Sequence, residues 1–343
     1  MRSRSRKKVI GVINLFAQVM TRITLVDAAN SAILLADQCG FPTQEKDMEL
    51  STALSGEIVQ NAVREVGINP NYWYAIAWSK DVKREQAVSI QIWEQEISLS
   101  RNHQQQAIAK DQSRGYPVQE KYGIVWLFLG NPTHSEHQPL PVIPEFDDPS
   151  YLMLQVSVRF KAHFSICNEN TMDVFRSYLH QNLQGWFDPA LIKLIETENS
   201  VTADYRVSYK GLIPKRFEAI DSNGTTKLMS IHYCYPNYVN RLEDLSALYL
   251  MRLPISRTES RSFSILLLKS PVPRGLLAPL RPILQLLIVR LLFLRFLKQD
   301  TEMIESEQEN YLKNPQRRYV EVNPAVIALQ RLMMRQYKQY LRS

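Results

Sequence analysis

From Asn69 onward, aromatic and β-branched residues alternate with polar ones in short runs. NPNYWYAIAWSKDV, AVSIQIWEQEISLSRN and GYPVQEKYGIVWLFLGN follow one another along residues 69–131. Period-two patterning in these residue types predicts strands, one of them ending at Arg101. Asn102 to Gly115 reads as a polar connection. Pro132 to Pro149 holds five prolines and predicts a surface-wrapping linker, which puts a domain boundary near residue 145.

Beyond the linker, YLMLQVSVRFKAHFS (151–165) alternates as a strand, and NENTMDVFRSYLHQNLQGWF (168–187) has helical spacing. VTADYRVSYKG, KLMSIHYCYPNYV, LSALYLMRLPISR and RSFSILLLKSP then predict further strands between residues 191 and 270. The apolar stretch 273–298 predicts one helix, with Arg274, Arg281, Arg295 and Lys298 clustered on its wheel and Arg290 opposite. Its uncharged runs fall well short of the about 18 residues a membrane span needs. It fits a half-buried helix on a sheet, or a basic amphipathic helix resting on an anionic membrane. Asn323–Pro324 predicts the start of a last helix, a cap residue followed by proline in the first turn. The sum is an α+β fold of antiparallel sheets covered by helices.

Residues 9–65 mix apolar and polar positions at helical spacing around the Gly40–Phe41–Pro42 breaker. They predict two helices or a loosely ordered extension, without identifiable chemistry. Ahead of them RSRSRKK carries five positive charges, followed by VIGVINLFAQVM. Asn14 and Gln18 interrupt that apolar run, so an amphipathic helix is expected rather than a signal peptide. The expected location is cytoplasmic or peripheral to a membrane. The net charge of +7 suits anionic surfaces, but no nucleic-acid-binding motif accompanies it, so a nucleic-acid partner is not expected. Cys39, Cys167 and Cys234 are far apart and form no C-x-x-C pair, which predicts reduced thiols.

The chemistry concentrates in 163–187. Asp173, Arg176 and His180 stand at i, i+3 and i+7, one stripe of a helix if the helix runs through them. Together with YWYAIAW, YPVQEKYGIVWLFLGNP, NEN-x-x-D and the QD-x-x-x-x-E-x-EQ run near the end, this resembles the Rieske-type non-heme iron oxygenases. The resemblance spans residues 69–335 and is nearest to the pheophorbide a oxygenase-like, lethal-leaf-spot-like branch of cyanobacteria and chloroplasts. It implies a Rieske-like β domain at 69–145 and a helix-grip-like catalytic domain at 146–343, with 1–68 as an extension. It also implies a [2Fe–2S] cluster held by C-x-H and C-x-x-H, an Fe(II) held by two histidines and a carboxylate, a homotrimer, and an apolar, ring-containing substrate.

The chain departs from that pattern twice. No cysteine lies between Cys39 and Cys167, and about a dozen residues stand where the two cluster loops would be. A [2Fe–2S] cluster is therefore not expected to bind. In the helix motif D-x-x-H-x-x-x-H, Asp173 matches the bridging aspartate and His180 the second histidine. Arg176 takes the place of the first histidine, and a guanidinium offers no lone pair. Asp300 matches the carboxylate ligand. One imidazole and one carboxylate would hold Fe(II) weakly or not at all. His163 and His232 are alternative donors, while His103, His134 and His137 are expected in solvent. The resulting expectation is a degenerate oxidoreductase relative that keeps an apolar pocket. Two alternatives stand beside it: an active iron oxygenase fed by an external electron donor, and a membrane-surface protein.

Overall fold

The computed structural model describes residues 60–175, 186–209, 225–270, 274–290, 294–316 and 321–342. The extension before Gln60 lies outside these residues. A short helix α1 (Gln60–Arg64) leads into β1 (Trp73–Trp78), every residue of which is buried. β1 pairs antiparallel with β7 (Ile124–Phe128), and β7 with β6 (Val118–Lys121), giving a three-stranded sheet. Trp73 meets the Phe128 ring edge-on at 5.3 Å.

The run AVSIQIWEQEISLSRN is a hairpin, not one strand. β2 (Val88–Ile92) and β3 (Gln95–Arg101) pair across a turn at Trp93 and Glu94, whose φ angles are 44° and 67°. Positive φ at both central residues is the geometry that two-residue hairpins demand. The connection expected at 102–115 itself contains β4 (Ala107–Lys110), which pairs with β3 and with β5 (Gly115–Tyr116). The linker carries one short helical turn, α2 (Pro132–Ser135), and buries Leu140 and Ile143.

The larger unit is a seven-stranded antiparallel sheet, ordered β8-β14-β13-β12-β11-β10-β9. Its strands are β8 (Tyr151–Phe160), β9 (Trp186–Glu196), β10 (Ser200–Tyr209), β11 (Thr225–Cys234), β12 (Asn237–Leu242), β13 (Ser246–Ser256) and β14 (Glu259–Lys269). The helix expected over 168–187 is corrected at both ends. α3 runs from Phe164 to Met172, and Asp173 is its C-cap with ψ 84°. Trp186 already belongs to β9, an edge strand that contains Pro189. An edge strand tolerates proline because its outer N–H groups need no ladder partner.

Over the expected 273–298 helix the described residues form α4 (Arg274–Ile288) and the start of α5 (Leu294–Lys313), with residues 291–293 outside them. α4 lies half-buried against the sheet, with Leu284 and Ile288 packed on Leu152 and Leu154 of β8. Among the described residues no helix is long and apolar enough to cross a membrane. α6 (Pro324–Arg342) starts where the sequence places it, and Asn323 Oδ1 accepts from Ala325 N–H at 3.1 Å.

One apolar core joins these parts, from Trp73 and Trp126 through Tyr233 and Phe263 to Leu329 and Leu332. The β2–β3 turn is fastened to β13 by Trp93 N–H to Pro254 O (2.8 Å) and Glu94 N–H to Ile255 O (2.9 Å). Glu145 in the linker pairs with Arg241 and accepts from the Tyr249 hydroxyl. Cys167 is a buried free thiol, but Cys234 is disulfide-bonded, which corrects the expectation of three reduced thiols.

Candidate functional site

α3 is buried almost all round, so its polar residues need partners inside the protein. Glu169 faces Arg64, which reaches it with both terminal nitrogens at 2.6 Å. Arg64 also donates to Ser165 Oγ (2.7 Å) and Glu307 (2.9 Å), and Gln330 donates to Glu169 (3.0 Å). This network clamps α1, α3, α5 and α6 together. Arg64 belongs to the segment expected to carry no chemistry, and its role here is structural.

His163 is not on a strand, as the sequence suggested, but is the N-cap of α3. Its Nδ1 accepts from Ser165 N–H at 3.2 Å and lies 2.8 Å from Ser165 Oγ, while Nε2 lies 3.1 Å from Val66 O. That geometry assigns the proton to Nε2. Burial, then the Arg64 charge, lowers the ring's pKa to about 3. Both nitrogens are occupied, so His163 serves the fold. His232 on β11 holds Thr202 Oγ1 at 2.7 Å through Nδ1, and burial lowers its pKa to about 4. His103, His134 and His137 are exposed, as expected.

The C-terminal end of α3 gathers the residues of interest. Asp300, on α5, accepts from Asn170 Nδ2 at 3.4 Å. Asp173 accepts from Asn323 Nδ2 at 3.0 Å and from Phe175 N–H at 3.3 Å. Glu321 stands nearby; burial raises its pKa, the N–H groups of Asn323 and Val322 oppose the rise, and the charges of Asp173 and Glu169 add to it. The buried Tyr205 hydroxyl has no hydrogen-bond partner among the described residues, and burial followed by the Asp173 charge raises its pKa. Buried Arg252 donates to Cys167 O (3.1 Å) and Thr171 Oγ1 (2.5 Å), and its Nε has no hydrogen-bond partner among the described residues.

Three carboxylates, two amides, a phenol and a guanidinium thus meet at one helix end. Such a set can hold a polar group of a ligand. A metal ion asks for more: among the described residues no group of three or more His, Cys, Asp or Glu could hold one. Arg176 and His180 lie outside the described residues, so only Asp173 and Asp300 of the expected ligand frame can be placed. Asp173 is the C-cap of α3 rather than one of its interior residues.

Where the cluster loops would stand, the chain closes on itself. Asn102 and Gln106 bond through Asn102 N–H to Gln106 O (2.9 Å) and Gln106 N–H to Asn102 Oδ1 (2.9 Å). Asp111 Oδ1 accepts from Ser113 N–H (2.6 Å) and Arg114 N–H (2.8 Å), and its Oδ2 from the Tyr116 hydroxyl (2.5 Å). These bonds hold the Asp111 carboxyl well below the usual carboxylate range, the Tyr116 hydroxyl contributing most. Residues 69–145 contain no cysteine, so the donors for a [2Fe–2S] cluster are missing from this segment.

A separate cleft of about 60 Å³ opens between the linker and the sheet, lined by Tyr72, Trp73, Pro139, His232, Tyr235 and Met251. It has room for water rather than for a ring-containing ligand. Sequence reasoning missed Arg64, Glu169, Tyr205 and Arg252. Only Glu169 had a local signal, its place inside the NEN motif.

No protein-family model matches the chain. The 4beta-methylsterol monooxygenase of Methylococcus capsulatus is 24% identical, an alignment that covers 82% of this chain and 92% of that protein. Dicamba monooxygenase bound to 3,6-dichlorosalicylic acid superposes with a TM-score of 0.64 at 12% identity, over 81% of this chain and 100% of that one. The terminal oxygenase of carbazole 1,9a-dioxygenase from Nocardioides aromaticivorans gives 0.55 at 14% identity, over 84% and 98%. The chain therefore has a Rieske oxygenase-like fold.

Proposed function

We propose that this protein is a degenerate relative of the Rieske-type oxygenases that binds an apolar, ring-containing ligand without an electron-transfer chain of its own. The observation that carries the reading is the closed Asn102–Tyr116 segment, two self-bonded turns without cysteine. In the family a [2Fe–2S] cluster supplies electrons for oxygen activation when bound. The donors present in residues 69–145, which lack cysteine, do not fit that group. Arg176 at the position of a histidine ligand points the same way. A sterol-like ligand is favoured by the similarity to the methylsterol monooxygenase. Tyr205, Asn170 and Arg252 would meet its polar end, while the remaining contacts would be apolar. Assignment to the pheophorbide a oxygenase-like branch, the division at residue 145, a homotrimer and a cytoplasmic or membrane-peripheral location belong to this reading and rest on the sequence motifs.

A second reading keeps iron chemistry. Asp173 and Asp300 approach the same helix end through Asn323 and Asn170, and His180 would complete a weak Fe(II) set served by an external reductant. Incubation with a 4-methylsterol separates the two. The first reading expects saturable binding and unchanged sterol after ferredoxin, reductase and O₂ are added. Oxidised sterol formed over several turnovers would establish the second, and no saturable binding would remove the ligand from the first.

A further inference from the structure

We propose that the outer face of α4 seats the protein on an anionic membrane surface. The helix has two unlike faces. On the inner one Leu284 and Ile288 pack on β8, Arg281 donates to Tyr151 O at 2.8 Å, and Gln285 donates to Met153 O at 2.7 Å. β8 is the edge strand of the long sheet, so α4 is bound along that edge in a fixed orientation.

The outer face should be polar if water were its only neighbour. Instead Ile283 is 55% exposed, Leu286 52% and Leu287 37%, and Pro279 and Pro282 are exposed on the same side. These positions recur every three or four residues and form one ridge. Leu294, 45% exposed at the start of α5, adds another large apolar side chain near the ridge's C-terminal end in the sequence. Exposed Arg290 and Arg295 follow the ridge.

Charge identifies the occupant. Residues 260–299 contain seven lysines and arginines and no aspartate or glutamate. An apolar ridge bordered by cations matches a helix lying in the interface of an anionic bilayer, its side chains among the acyl chains and its guanidiniums at the phosphates. A second copy of this chain on the same face would set Arg290 and Arg295 against their own equivalents, which disfavours a symmetric pair. This surface lies on α4 and the start of α5 and does not depend on the ligand reading.

Co-sedimentation of the full chain with phosphatidylcholine vesicles, with and without phosphatidylserine, tests it. The expected result is binding to the phosphatidylserine vesicles that weakens with salt and falls about ten-fold in Ile283→Glu/Leu286→Glu. Arg290→Glu/Arg295→Glu should remove the preference for phosphatidylserine while the variant stays folded. The proposal is overturned if the wild-type chain does not sediment with the anionic vesicles, or if both variants bind as it does. It is equally overturned if the apolar variant converts an oligomer into a monomer, since a second copy then covers the ridge.

Discussion

Acidification from neutral pH to about pH 4.5 removes about 5 kcal/mol of folding stability through two buried histidines, His163 and His232. Their folded pKa values are about 3 and about 4, below the ordinary 6.5. Below 6.5 the unfolded chain takes up protons that the folded chain refuses. The stability of the neutral rings is thus complete above 6.5 and is lost as pH falls through the window toward 4 and 3. Each histidine contributes a slope of about 1.4 kcal/mol per pH unit inside that window. The total approaches the whole stability of an ordinary domain. Urea denaturation at a series of pH values reads the slope directly. His163→Asn, which retains a capping side chain, should halve it between pH 6 and 5. Half the slope would mean that one ring takes up its proton in the folded protein as it does in the unfolded chain, and a stability that stays level across that interval would mean that both do.

Arg64→Ala destabilises the protein by about 3–5 kcal/mol, because it leaves Glu169 charged and buried without its cation. The two side chains are 3% and 5% exposed, so water cannot replace the lost partner. Glu307 loses the same guanidinium, and among the described residues Gln330 alone remains to bond the Glu169 side chain. The consequence reaches the candidate site, since Asn170 and Asp173 follow Glu169 on the same helix end. Replacing both members with apolar residues, Arg64→Met with Glu169→Leu, should cost less than the single change. Chemical denaturation of the three variants checks this. A loss under about 1 kcal/mol for Arg64→Ala would show that the pair is hydrated.

The strands were legible where alternation and aromatic content coincide, as in β1, β7, β10, β13 and β14, whereas KLMSIHYCYPNYV read as a single run where the chain turns back from β11 into β12. β9 was not, because an edge strand half-exposed along its length shows neither face cleanly. The start of α3 was hidden by its cap: histidine is not among the usual N-cap residues, so the helix was placed four residues late, at Asn168 instead of Phe164. Its end at Met172 was not marked either, because no glycine or proline follows it before Gly185. Asp173 and Asp300 were legible as members of a motif. Arg64 and Glu169 were not, because a pair separated by 105 positions leaves no local pattern. Tyr205 and Arg252 look like ordinary strand residues until the sheet places them under α3.

Iron content decides the central claim most directly. The chain, isolated without oxygen, reloaded with Fe(II) and freed of excess metal, should carry well below one iron per chain and show no visible absorption of a [2Fe–2S] cluster. Arg176→His, treated alike, should carry more iron than the wild type. One tightly held iron per wild-type chain would contradict the account, and a cluster spectrum would contradict it outright.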